Sequence, residues 1–78
     1  MTHELTATER AELRLEARPW AHAGAKEQAI VESTGLSPTR HYQLVNRLVD
    51  DRRAWEEQPV LMARLERLRT SRARGRRR

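Results

Sequence analysis

The chain has 78 residues, of which 16 are lysine or arginine and 11 are aspartate or glutamate, so its formal net charge is +5 at pH 7. It contains no cysteine, which excludes disulfide bonds and thiolate metal sites. A chain of this length predicts one small domain with a limited core. Because it has no apolar run typical of a signal peptide or a membrane span, we expect a cytoplasmic protein without a membrane partner.

The positive charge is concentrated at one end of the chain. Residues 1–35 hold four basic and six acidic residues, residues 36–59 hold four of each, and residues 60–78 hold eight arginines and one glutamate. A basic block of this kind predicts a polyanionic partner, which is DNA, RNA or an anionic membrane surface. The planar guanidinium group also favours bidentate contacts with phosphate groups and base edges.

Capping and apolar residues predict an all-α fold of about four helices. Thr6 and Glu9 form a capping-box pattern at the start of the first helix. Pro19 should end this helix because proline lacks an N–H and restricts the residue before it, and Trp20 is expected to pack into the core. The predicted inner face consists of Ala7, Ala11, Leu13 and Leu15.

The second and third helices are separated by a glycine turn. Gly24 is expected to break the chain before a helix over residues 25–34. Gly35 stands where a left-handed residue ends a helix. Ser37 and Pro38 then fit the N-cap and first position of the third helix. The predicted buried residues are Ala29, Ile30 and Val31 in the second helix, and Leu44, Val45 and Leu48 in the third.

The C-terminal third predicts a connector, a last helix and a tail. Residues 50–57 are expected to form a connector with one helical turn anchored by Trp55, and Pro59 begins the last helix. We place a helical domain at residues 1–69 and an arginine-rich tail at residues 70–78. Without a partner, residues 72–78 of this tail should be disordered or a fraying helix. The predicted inner leucines of the last helix are Leu61, Leu65 and Leu68.

The pattern over residues 25–49 is that of a helix-turn-helix, since a turn of three or four residues makes two helices cross steeply. In this motif the N-terminal half of the second helix enters the major groove of DNA. Arginine pairs with guanine, and glutamine or asparagine pairs with adenine. We therefore predict base readout by Thr39, Arg40, Tyr42 and Gln43, with contacts to the backbone or flanking bases from Ser37, Asn46 and Arg47.

The C-terminal arginines are expected to hold the phosphate backbone or to enter the minor groove. We predict backbone contacts from Arg64, Arg67 and Arg69, and minor-groove or phosphate contacts from Arg72, Arg74 and Arg76. The partner predicted by both segments is double-stranded DNA. An RNA-binding protein and a protein-interaction module of the transcription machinery are the alternatives.

No pattern predicts an enzyme, a metal site or a cofactor. The three histidines, His3, His22 and His41, lack the spacing of metal ligands, and His41 is expected to be half-packed at the edge of the third helix. The chain also lacks a phosphate-binding glycine loop and a nucleophile–base motif.

The segments A-G-A-K-E at residues 23–27 and G-L-S-P-T-R-H-Y-Q at residues 35–43 resemble a family of small actinobacterial proteins. Its members pair a helix-turn-helix with an arginine-rich C-terminus and include GATC-binding nucleoid-associated proteins of streptomycetes. The resemblance covers about residues 12–75. The chain departs from the family pattern at Pro19-Trp20, where the family has two aromatic residues, and at His41, where it tends to have tyrosine.

This resemblance implies sequence-preferring DNA binding with a chromosome-organising or global regulatory role in the nucleoid. By position it also implies that the reading residues are Thr39, Arg40, Tyr42 and Gln43. A palindromic site such as GATC would suit two protomers related by two-fold symmetry.

Overall fold

The computed structural model describes residues 4–76, with the side chain of residue 76 outside the description. This part of the chain has no strand, which confirms the all-α fold. The predicted count of about four helices was low by one, because the connector over residues 50–57 forms a helix of its own behind its Asp51 cap. The helices are α1 (Ala7–Ala17), α2 (Ala23–Thr34), α3 (Pro38–Leu48), α4 (Arg52–Glu57) and α5 (Pro59–Arg76).

The predicted caps are confirmed. Thr6 Oγ1 accepts a hydrogen bond from the Glu9 N–H at 3.0 Å, and Glu9 Oε1 accepts one from the Thr6 N–H at 2.7 Å. Gly35 ends α2 with φ 75°, a conformation that strains residues with a Cβ atom. Ser37 Oγ accepts from the Arg40 N–H at 3.2 Å. These contacts fix where α2 ends and where α3 begins.

The main core lies between α1, the C-terminal half of α3, α4 and the first half of α5. Leu44 and Trp55 pack against it as partly buried residues. Trp55 is anchored as predicted, since its Nε1 donates to the Val49 carbonyl at 2.7 Å. The buried members of this cluster are Leu5, Leu13, Val45, Leu48, Val49, Ala54, Leu61, Met62 and Leu65.

Some predicted core positions were wrong. Ala7 is exposed because it lies in the first turn of α1, ahead of the buried residues of that helix. Val31 is 49 % exposed because α2 buries only the neighbouring Ile30. Leu68 is 45 % exposed, and it borders a surface groove instead of the core.

Two predictions near the ends of helices were also wrong. Gly24 does not break the chain, because α2 already begins at Ala23 and takes the glycine into its first turn. Trp20 lies outside the core, half-buried against the end of α1. Its Nε1 donates to the Leu15 carbonyl at 2.7 Å, and the guanidinium of Arg18 lies 4.4 Å from its ring centre. Trp20 thus caps α1, which ends before Pro19 as predicted.

A buried polar cluster joins the first three helices. His41 is fully buried, not half-packed as predicted, because two glutamates of α1 supply partners for its ring. Its Nδ1 contacts Glu12 Oε2, and its Nε2 lies 2.7 Å from Glu16 Oε2. Lys26 of α2 places its Nζ 2.9 Å from the same Glu16 oxygen. The backbone carbonyl of Glu16 also accepts a hydrogen bond from Arg64 of α5.

The two ring nitrogens of His41 face one carboxyl group each. A neutral imidazole has one N–H, so it can donate to only one of the two carboxyl groups. Burial lowers the pKa of His41 and thereby favours this neutral form. Glu16 is paired with the Lys26 ammonium, whereas Glu12 is fully buried, and its Oε1 has no hydrogen-bond partner among the described residues.

The buried contact between Glu12 and His41 predicts different outcomes for two substitutions of Glu12. Glu12→Gln should change the free energy of unfolding by less than about 1 kcal/mol, because the amide can form a hydrogen bond with Nδ1 of His41 in place of the carboxyl group. Glu12→Ala should lower it by roughly 2–4 kcal/mol, because it leaves a cavity and a buried nitrogen without a partner. Urea unfolding of the three proteins measures both differences. Similar losses in the two variants would show that an amide cannot replace the carboxyl group beside His41.

Candidate nucleic-acid interface

The residues predicted to read DNA share the exposed face of α3. The opposite face of the helix is buried through His41, Val45 and Leu48. Tyr42 is 40 % exposed, and the other members of the face are classed as exposed. At 3.6 residues per turn they fall within an arc of roughly 160°. This reading face, as we call it, consists of Thr39, Arg40, Tyr42, Gln43, Asn46 and Arg47.

The start of the reading face is defined by Ser37. Its side chain is occupied as the N-cap, with Oγ accepting from the Arg40 N–H, and Pro38 follows at the first helical position. The positive end of the helix dipole therefore lies beside Thr39 and Arg40. Ser37, predicted to contact the backbone, therefore has a structural role in fixing the residue at which α3 begins.

An open groove of about 670 Å³ separates α3 from the C-terminal half of α5. Asn46 and Gln43 border it from α3, and Arg69 and Arg72 border it from α5. The floor is apolar and consists of Val45, Val49, Leu65 and Leu68. The groove thus brings part of the reading face and part of the arginine-rich segment to one surface.

A second depression of about 570 Å³ lies on the other side of the reading face. Arg40 and Arg47 border it, together with the apolar residues Leu36 and Leu44. Gln43 and Asn46 border both depressions. These two side chains therefore lie between the two depressions, at a position that we call the crest of α3.

Arg69 ties α5 to the end of α3. Its Nη1 and Nη2 donate to the two carboxylate oxygens of Asp50 at 3.1 and 2.9 Å, and Nη1 also reaches Asn46 Oδ1 at 3.3 Å. The hydrogen bond from Arg69 lowers the pKa of Asp50. Arg69, predicted to contact the DNA backbone, therefore also has a structural contact that holds the neighbouring Arg72 beside the reading face.

The other predicted arginines are distributed around α5. Arg64 donates to the Glu16 carbonyl and so faces α1. Arg67 and Arg74 are exposed but do not line the groove, and Arg74 lies roughly 200° around the helix from Arg72. The described part of the predicted tail continues α5 without a break at residue 70. The contact predicted for the side chain of Arg76 lies outside the described residues.

Sequence reasoning missed Lys26. Its Nζ pairs with Glu16 and lies 5.0 Å from the ring centre of Tyr42, so it borders the reading face from α2. The one signal that could have found it is composition, since it is the single lysine among 16 basic residues.

Residues 4–76 contain no group of three or more side chains that could hold a metal ion. They also contain no helix with the length and apolar character that crossing a membrane requires.

The Arg69–Asp50 contact predicts an acid-shifted titration. The carboxyl of Asp50 should titrate below its ordinary value of 3.8, because the hydrogen bond from Arg69 stabilises the charged form. A lowered pKa in the folded state means that the contact is intact above about pH 4 and is lost as the pH falls through the lowered value. Carboxyl-carbon NMR of the wild type and of Arg69→Gln measures this. Identical midpoints in both proteins would show that the contact does not form in solution.

The comparisons with known proteins give a family without an assigned activity. The family described as a protein of unknown function, DUF3263, matches residues 4–77. No curated protein and no solved structure shows significant similarity to the chain. The match spans all five helices, including the reading face and the arginine-rich half of α5. The chain therefore belongs to the DUF3263 family.

Proposed function

We propose that this protein binds double-stranded DNA through α3 and acts as a nucleoid-associated protein or global transcriptional regulator. One observation carries the proposal: the exposed polar face of α3 and Arg72 of α5 border the same open groove. Polar side chains that can contact bases and an arginine that can contact phosphate can then bind the same duplex.

Base readout is assigned to the N-terminal half of the reading face. A helix fits the major groove, which is about 12 Å wide. Gln43 on the crest matches the N6 and N7 edge of adenine, and Arg40 matches the O6 and N7 edge of guanine. Thr39 and Tyr42 can contact a thymine methyl group or a phosphate. Asn46 and Arg47, one turn later, reach flanking bases or the backbone.

Non-specific affinity is assigned to the arginines of α5. Arg67, Arg72 and Arg74 are exposed along the helix. Each phosphate that they neutralise releases condensed counterions and adds about 0.9 to the slope of log affinity against log salt. Insertion into a narrow minor groove is a second use of the same side chains.

A short target suits an architectural role in the nucleoid. The resemblance described above makes GATC the first candidate site. Since each wrong base pair typically costs about 1–3 kcal/mol, four base pairs give limited selectivity and many occupied sites. A palindrome of this kind would also accept two protomers.

A competition gel shift tests this function. A labelled 16-base-pair duplex with a central GATC is challenged with the unlabelled duplex, a scrambled duplex and an RNA duplex of equal length. We expect the GATC duplex to compete best and the RNA worst. Equal competition by RNA would favour an RNA-binding protein, and no shift at low salt would favour a protein-interaction module.

The crest position of Gln43 predicts a loss of specificity on substitution. Gln43→Ala should lower the preference for the GATC duplex over the scrambled duplex by about 10-fold, because it removes one bidentate base contact. Affinity for the scrambled duplex should hardly change. Gln28→Ala is the matched control, since Gln28 is an exposed glutamine of α2 that bonds Glu32. An unchanged preference in Gln43→Ala would remove Gln43 from the readout.

The two sides of α5 predict unequal contributions from two arginines. Arg72→Gln should weaken binding to all duplexes about three- to tenfold and lower the salt slope by about 0.9, because Arg72 borders the reading face. Arg74→Gln removes the same charge from the far side of the helix and should have a smaller effect. Fluorescence titrations at several salt concentrations measure both variants. Equal losses would mean that the arginines act as an unoriented basic tail.

A further inference from the structure

Lys26 lies between the buried cluster and the reading face. Its side chain is 18 % exposed, and its Nζ is held by both carboxylate oxygens of Glu16, at 3.1 and 2.9 Å. The same ammonium lies 5.0 Å from the ring centre of Tyr42, within the range of a cation–π contact. One lysine therefore joins a buried carboxylate to a residue of the proposed DNA-reading surface.

The ring of Tyr42 is held from a second direction by the buried cluster. The His41 and Tyr42 rings meet edge to face, with centres 4.9 Å apart and an interplanar angle of 71°. His41 is itself fixed because its Nε2 lies 2.7 Å from Glu16 Oε2. Lys26 and His41 therefore contact the same tyrosine and the same glutamate. The position of the Tyr42 ring therefore depends on the partly buried Lys26 and the fully buried His41.

A tyrosine held in this way contributes more to discrimination than a mobile one. Its ring is ordered before binding, so less side-chain entropy is lost when it meets a base pair. A fixed ring also contacts fewer arrangements of base edges than a mobile ring does. Specific recognition depends on side chains that neighbouring residues hold in place.

A direct phosphate contact is the competing role for Lys26. The ammonium is mostly buried, and its charge is matched by Glu16. Moving it to a phosphate would leave the carboxylate of Glu16, which is 8 % exposed, without its cation. These contacts favour a positioning role, and the two roles differ in salt dependence, because only a phosphate contact adds to the slope.

We propose that Lys26 is a specificity-determining residue that acts by positioning Tyr42 on the reading face. This inference rests on the proposed binding of duplex DNA, and it assigns to α2 a part in readout that the sequence had given to α3 alone.

Lys26→Met and Lys26→Arg test the proposal with the GATC and scrambled duplexes. Lys26→Met should lower the preference for GATC about three- to fivefold, the effect of losing one cation–π contact, and should leave the salt slope unchanged. Lys26→Arg keeps the charge and should keep most of the preference. A slope lowered by about 0.9 with an unchanged preference would overturn the proposal in favour of a phosphate contact.

A double-mutant cycle shows whether Lys26 acts through Tyr42. In a Tyr42→Ala background, Lys26→Met should cause no further loss of preference. A full additional loss would overturn the proposal, because Lys26 would then act without the tyrosine. Thermal unfolding of each variant separates these effects from a loss of folded protein.

An NMR measurement on the wild type needs neither a variant nor DNA. Since the chain has one tyrosine and one lysine, their signals are assigned without ambiguity. Cross-relaxation between the Lys26 ε-methylene protons and the Tyr42 ring protons is expected, and its absence would overturn the positioning role. Failure of the wild type to shift any duplex would instead overturn the proposed function, so the two failures are distinguishable.

Discussion

The contacts between His41 and the two glutamates of α1 fix the orientation of α3 relative to α1. A histidine on the inner side of this helix brings two polar nitrogens into the core, and each would be destabilising without a partner. Glu12 and Glu16 supply those partners, and Lys26 of α2 balances the charge of Glu16. The angle between the helices is therefore set by directional hydrogen bonds as well as by apolar packing. The orientation of the reading face follows from this polar cluster.

Features set by neighbouring residues could be predicted from the sequence. The N-caps at Thr6 and Ser37 and the left-handed Gly35 lie where expected, because each needs only a few adjacent residues. The exposed face of α3 was also predictable, since periodicity separates its polar residues from Val45 and the other buried positions. The bounds of α2 and α3 follow from these local signals.

Features set by distant partners could not be predicted. Glutamate and lysine are assigned to the surface by their polarity, so the pattern gave no reason to bury Glu12 or to pair Glu16 with Lys26. Leu68 matches the leucine spacing of α5, but no neighbouring helix covers it. For the arginine-rich segment the sequence left two states open, disorder and a fraying helix, because it lacks large apolar residues. Its described part is helical, since arginine is a good helix former and the segment continues a helix that is already nucleated.

The pairing of Lys26 with Glu16 and of Arg69 with Asp50 has an electrostatic consequence. Two cations that border the groove are neutralised by the protein itself, so the positive potential of this side of the molecule is displaced toward the end of α5. For the proposed binding of DNA, long-range attraction and short-range recognition would then be properties of different residues. A duplex of any sequence would be attracted by the distal arginines before it contacts α3. Such weakly bound encounters would permit sliding along the double helix before the crest of α3 meets a matching base step.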